Sequence, residues 1–316
     1  WVKPSDHNAN NRYRLTAILL TRYPSEHHRF KGGPFEIQLI DTMHVTTIRD
    51  SLFDVTHQFM TRNYFTDAVE LNQLVKKKRA HSANLRTDIP PIPFTGNPWN
   101  KENGNCMLFI GINPRYQSSD NVKSHHEFGP AIESIERFHN GDDSGFSDYL
   151  NQRKNYFLQE GMKYGKHFTF PEKKLREHMY PVENPWDRHI QSLDCIPWFS
   201  VDAKTFDHEE VCNAYNNSEM FLSYRRIIEE IVKLIRPNMI QLNGGMTRKV
   251  FESSYSKNSF SPMKEMNPKK GIHVGWCEIG GHEIPTLSHN FSGYPNAPNG
   301  NKDWDEMIAN WKKWIN

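Results

Sequence analysis

Three polar side chains sit at the ends of short strand-like runs, each in a position to meet a ligand. Asn113 follows Met107 to Ile110, a run without a breaker that stops at Gly111 and cannot continue as a central strand through Pro114. Asp194 lies in Leu193-Asp194-Cys195-Ile196-Pro197-Trp198, and His289 follows the run from Glu283 to Leu287. An amide orients water but is a poor base, a carboxyl accepts or donates according to its protonation, and an imidazole donates to developing negative charge. Loops past the carboxyl ends of strands are where open α/β sheets bind ligands, so the three groups can converge on one crevice.

The elements that must position them alternate. Phe221, Tyr224, Ile228, Ile231 and Ile235 recur at helical spacing and stop before Pro237. A strand from Met239 to Leu242 runs into Asn243-Gly244-Gly245, with a helix restarting near Thr247. Val274 to Ile279 and Glu283 to Leu287 flank Gly280-Gly281, a hairpin signal. Trp304, Met307, Ile308, Trp311 and Ile315 make a closing amphipathic helix whose stripe is core. Helices are also expected over Ser51 to Val75, Ala131 to Phe138 and Asn151 to Tyr164, and a half-buried strand over Phe35 to Leu39. This order describes an α/β fold, a three-layer α/β/α sandwich with a central, mostly parallel sheet. The Pro-rich connector Asp88 to Pro98 divides residues 1–90, an extension of mixed structure, from the main domain, residues 91–316. The basic run Lys76-Lys77-Lys78-Arg79 reads as a solvated helix end or as a contact to a phosphate backbone.

Bulk composition limits the function classes. The 316 residues carry a formal net charge of +2 and a pI near 8.3, which permits a nucleic-acid partner without demanding one. Mean hydropathy of −0.77 implies a wide polar surface. Cys106, Cys195, Cys212 and Cys277 lack the C-x-x-C spacing of a zinc or iron–sulfur site and are expected as thiols in a reducing compartment, the cytoplasm. Leu15 to Leu20 is too short for a membrane span, and no signal peptide is read. The chain begins at Trp1, so its true start is expected upstream. No G-x-S-x-G elbow and no P-loop points to another hydrolase class.

Over residues 90–316 the chain resembles the uracil-DNA glycosylase superfamily. Gly111-Ile112-Asn113-Pro114 matches the first motif of the mismatch-specific branch, Leu193 to Trp198 resembles the segment that supplies the base-reading side chain, and Ser288-His289-Asn290-Phe291-Ser292-Gly293 resembles the late H-P-S motif, with Asn290 and Phe291 where Pro and Ser are usual. The resemblance implies a monofunctional DNA glycosylase acting on duplex DNA without metal or cofactor, since no lysine occupies a motif position for a Schiff base. It makes Asn113 the water-positioning residue, His289 the donor to the base's O2, and Gly111, Ile112, Pro114, Arg115 and Tyr116 the base pocket.

Asp194 departs from the asparagine usual in uracil readers. A carboxylate accepts from the cytosine amino group, and a desolvated acid form donates to N3, so the target implied is a cytosine type. Arg115 stands where the uracil-specific branch has a tyrosine against C5, which opens that wall to a substituent; it reads equally as a surface arginine. At this point the chain resembles the prokaryotic anti-phage glycosylases that remove glucosylated hydroxymethylcytosine, leaving an abasic site in phage DNA. Tyr294 is the candidate wedge into the emptied stack, and Ser292, Lys123, Arg248 and Lys249 are candidate DNA contacts. Two alternatives stay open: a uracil or mismatch glycosylase of base-excision repair, and a catalytically idle DNA-binding module of the same fold.

Overall fold

The computed structural model describes residues 48–101, 103–116, 122–126, 128–158, 173–174, 177–179, 188–292 and 295–316. They belong to one compact unit, Val45–Asn316. The strand expected at Phe35 to Leu39 and the wedge candidate Tyr294 lie outside the described residues.

Six strands form one sheet in the order β2-β1-β3-β6-β5-β4: β1 Met107–Gly111, β2 Ile190–Asp194, β3 Met239–Asn243, β4 Ser261–Pro262, β5 His273–Ile279 and β6 His282–His289. The first four in that order are mutually parallel, while β5 and β4 are antiparallel at one edge. Gly280 and Gly281 close the β5–β6 hairpin with φ of 58° and 82°, the two positive angles a type I′ turn needs.

The helices are α1 Tyr64–Leu74, α2 Gly129–His139, α3 Asp143–Lys154, α4 His208–Asn217, α5 Glu219–Ile235, α6 Gly245–Tyr255 and α7 Gly300–Ile315, preceded by a helical stretch over residues 48–60. The helix expected from Ser51 to Val75 is thus two helices. Asn63 starts the second, its side chain accepting from the Thr66 amide. The helix expected from Asn151 begins earlier, at Asp143, and ends at Lys154. Ser218 caps α5, and Arg236, at φ 43°, ends it in the left-handed conformation just before Pro237.

Both faces of the parallel strands are covered, as a parallel sheet requires. Leu108, Ile110, Leu193, Ile240 and Leu242 pack with Tyr224, Ile228 and Val250 on one side. Met107, Phe109, Ile190, Met239 and Leu287 pack with Trp304, Met307, Ile308 and Trp311 of α7 on the other. Helices therefore flank the sheet on both sides. Residues 48–75 contribute Leu52, Phe59, Met60, Ala68 and Leu71 to the first of these clusters, and the Pro-rich connector is internal to the unit. No helix among the described residues is long and apolar enough to cross a membrane.

Candidate functional site

The strand register draws four residues into a row at the carboxyl edge of the sheet. Gly111 pairs with Asp194, Ile110 with Leu242, and Asn243 with His289. The row therefore reads Asp194, Gly111, Asn243, His289. At about 4.8 Å per strand its ends lie roughly 14 Å apart along the backbone.

Past the row, the chains leaving β1 and β2 stay zipped together. Cys195 N–H donates to the Gly111 carbonyl and Ile196 N–H to that of Ile112, both at 2.9 Å. Ser200 N–H then donates to Pro114, and Tyr116 N–H to Ser200, again at 2.9 Å. The amide nitrogen of Asn113 is held inside this seam, donating to Ser200 Oγ at 2.7 Å and to the Pro114 carbonyl at 2.8 Å, with the Trp198 carbonyl at 3.5 Å. Its carbonyl oxygen meets no hydrogen-bond donor among the described residues. The amide nitrogen is thereby committed to the seam, and the acceptor end is left for a ligand.

That residue lines a cavity of about 490 Å³, within the range of small-molecule sites. Ile112, Met246 and Phe291 give it apolar walls; Asn113, Asn243 and Asn290 bring amides; Arg115, Lys204 and His208 bring basic groups, against one acid, Asp202. The first turn of α6, Gly245 to Thr247, opens onto it, presenting backbone N–H groups and the positive end of the helix. Gly244 turns the chain there at φ 117°, a conformation that favours glycine.

Asp194 stands on the row but not on the cavity lining. Its carboxylate leans over Gly111, its backbone carbonyl accepts from Tyr224 Oη at 2.8 Å, and burial pushes its carboxyl up to about 7. The residue as a whole keeps partial exposure, while its carboxyl sits in dense surroundings.

The expectation for His289 requires correction. Its side chain is fully buried, Nδ1 donates to the Asn290 carbonyl at 2.6 Å, Nε2 accepts from Gln241 Nε2 at 2.8 Å, and its ring meets Trp304 edge-on at 5.3 Å. The tautomer follows from these partners. Both ring nitrogens are engaged, and the imidazole is turned toward α7 rather than into the cavity. Asn243, its neighbour on β3, occupies the cavity wall instead, its Oδ1 accepting from Ser292 N–H at 2.9 Å.

Tyr116 is likewise no part of the pocket. It is buried against Phe128, with ring centroids 4.6 Å apart, and beneath the Arg86 guanidinium at 5.4 Å. Gly111 and Pro114 shape the backbone behind the lining, while Ile112, Asn113 and Arg115 face it. Lys123 is paired with Glu136 at 2.5 Å on an exposed surface, and Arg248 is bonded to His273 and lies 3.9 Å from Glu252. Lys249 is exposed beside His208. Among the described residues no group of three or more His, Cys, Asp or Glu is arranged to hold a metal ion.

Asn243, Lys204 and His208 are lining residues that motif and spacing do not single out, while Phe291 belongs to the late motif, in the place of its usual Ser. A signal for Asn243 exists all the same: an apolar strand ending in Asn243-Gly244-Gly245 mirrors the one ending in Gly111-Ile112-Asn113. No protein-family model matches the chain, and no curated protein matches its sequence.

Proposed function

We propose that the chain is a monofunctional DNA glycosylase that hydrolyses the N-glycosidic bond of an extruded, cytosine-type base. One observation carries this reading: Asn113 lines the cavity with its amide nitrogen tied into the β1–β2 seam, while its carbonyl oxygen meets no donor among the described residues. A carbonyl in that position accepts one O–H of a water and leaves the water's lone pair for the sugar carbon. Water then adds at C1′, the C1′–N1 bond breaks with its electron pair going to the base, and a proton reaches the base. The products are an abasic sugar and the free base.

The surroundings support the same reading. Phe291 and Met246 offer faces for a planar base, and the start of α6 with Arg115 and Lys204 offers positive potential for the phosphates beside it. Asp194 stands behind Gly111 rather than on the cavity wall and retains its proton to about neutral pH; a base inserted past Ile112 as far as Gly111 would receive at N3 the donation that assists departure of a poor leaving group. Arg115 at the wall suits a polar C5 substituent, which makes glucosylated hydroxymethylcytosine of phage DNA the specific target proposed.

The engagement of His289 favours a second reading, an idle DNA-binding module of the same fold, because the expected donor to O2 is sequestered. Mass spectrometry of bases released from plain, uracil-containing, hydroxymethylated and glucosylated duplexes separates the two. Release of the modified cytosine, abolished in Asn113→Ala, is the expected result. Release of uracil alone would move the target to the repair alternative, and binding with no release from any duplex would leave only the idle module.

A further inference from the structure

The cavity has a basic margin built from parts of the chain far apart in sequence. The segment after α1 runs alongside the segment before α4: Asp207 N–H donates to the Val75 carbonyl and Lys77 N–H to that of Thr205, both at 2.9 Å, with Lys76 bridged to Phe206 between them. The second segment also supplies Asp202, Ala203, Lys204 and His208 to the cavity wall. This seam fixes Lys76 and Lys77 beside the segment that supplies the cavity wall, and Lys78 and Arg79 follow in the adjoining turn. Lys249, on α6, approaches the same place: burial first, then its charge, holds the His208 imidazole below its ordinary value, and Lys77 adds to the effect.

Apart from Lys76, these cations are exposed. Lys76 spends its ammonium on the Ala80 carbonyl at 3.1 Å, but Lys77, Lys78, Arg79, Lys204 and Lys249 meet no carboxylate among the described residues. Lys123, Lys233 and Lys270, elsewhere on the surface, are paired with carboxylates. The acids nearby have other partners. Asp202 caps the Lys204 amide, Asp207 caps Glu209 and Glu210, and those two glutamates lie in the first turn of α4, where the helix dipole favours them.

We propose that Lys77, Lys78, Arg79, Lys204 and Lys249 form one rail at the cavity mouth that holds the phosphate backbone of duplex DNA while a base enters. The inference rests on the glycosylase reading for its partner, and it assigns backbone binding to a segment outside the region that carries the family resemblance. A rail of this kind positions without reading sequence, and each phosphate it neutralises releases condensed counterions. Its signature is therefore the salt dependence of binding.

The test is fluorescence anisotropy of the full chain with a plain duplex over a range of salt concentrations. In the triple variant K77Q/K78Q/R79Q the slope of log affinity against log salt should shrink by about 0.9 for each phosphate no longer neutralised. K204Q and K249Q should each shrink it by the equivalent of about one phosphate. K313Q, in the last turn of α7, should leave the slope unchanged. An unchanged slope in the triple variant, or no duplex binding by the native chain, overturns the rail. Base release measured separately reports on the glycosylase reading: release with an unchanged slope discards the rail alone.

Discussion

The carboxylate of Asp194 occupies the space that a side chain at position 111 would need: a β-carbon placed on Gly111 would lie 2.2 Å from Asp194 Oδ1. The two residues are register partners at the ends of β1 and β2, and the absence of a side chain on one allows the acid of the other to fold over it. Gly111→Ala should therefore push the Asp194 side chain aside. Overpacking at such a site costs about 1–3 kcal/mol, read as a lowered Tm, and base release should fall with it. An alanine variant with native stability and native activity would show that the close approach has no consequence.

The raised carboxyl of Asp194 makes stability pH-dependent in a defined direction. Burial lifts it to about 7 from an ordinary value of 3.8, so the folded chain holds a proton that the unfolded chain releases. Across pH 4 to 7 the folded state binds more protons, and its stability falls as pH rises until the folded group has ionised. Thermal melts of the native chain should lose Tm over that window, and those of Asp194→Asn should lose less. If the acid form donates to the leaving base, release should also decline above about pH 7 in the native chain. Parallel melting profiles for the two proteins would remove Asp194 from this role.

Asn113 depends on its seam. Asn113→Ala removes the carbonyl proposed to orient the water and should lower base release by about 100-fold or more, with little change in duplex binding. Ser200→Ala removes the 2.7 Å partner of the amide nitrogen and leaves the carbonyl in place but less well aimed, for a loss of roughly tenfold. Single-turnover measurements at saturating enzyme isolate the chemical step. Equal effects of the two substitutions would mean that the bond to the Ser200 hydroxyl accounts for the whole contribution of Asn113.

Much of this arrangement is legible in the residues and some of it is not, for a reason the strands make plain. The breaker-free run into Gly111, the Gly280-Gly281 hairpin, the α5 stripe and the Trp-rich closing helix are local patterns, and each forms as expected. The direction of a side chain at a strand end is not local. His289 shares the parity of Leu287, whose face is covered by α7, and so the imidazole goes under Trp304. Asn113, beyond the last ladder bond, is aimed by residues 198 to 200, more than eighty positions away. Tyr116 follows the same seam into an aromatic cluster that no spacing rule announces. Pattern places the row; tertiary packing decides which members face the cavity.

The buried triad of Gln241, His289 and Trp304 yields the last prediction, and it separates structure from chemistry. Gln241 Nε2 donates to the imidazole, which in turn donates to the Asn290 carbonyl and packs on the indole edge. Truncation by His289→Ala leaves a cavity and an orphaned amide, a loss of roughly 2–4 kcal/mol. Gln241→Leu removes only the partner of Nε2 and should cost about 1–3 kcal/mol while leaving the ring in place. A structural histidine predicts that activity measured well below Tm survives Gln241→Leu and that the losses of both variants track their stability. A variant that melts like the native chain yet has lost base release would instead place the imidazole in the reaction, and would require His289 to leave the position it holds against α7.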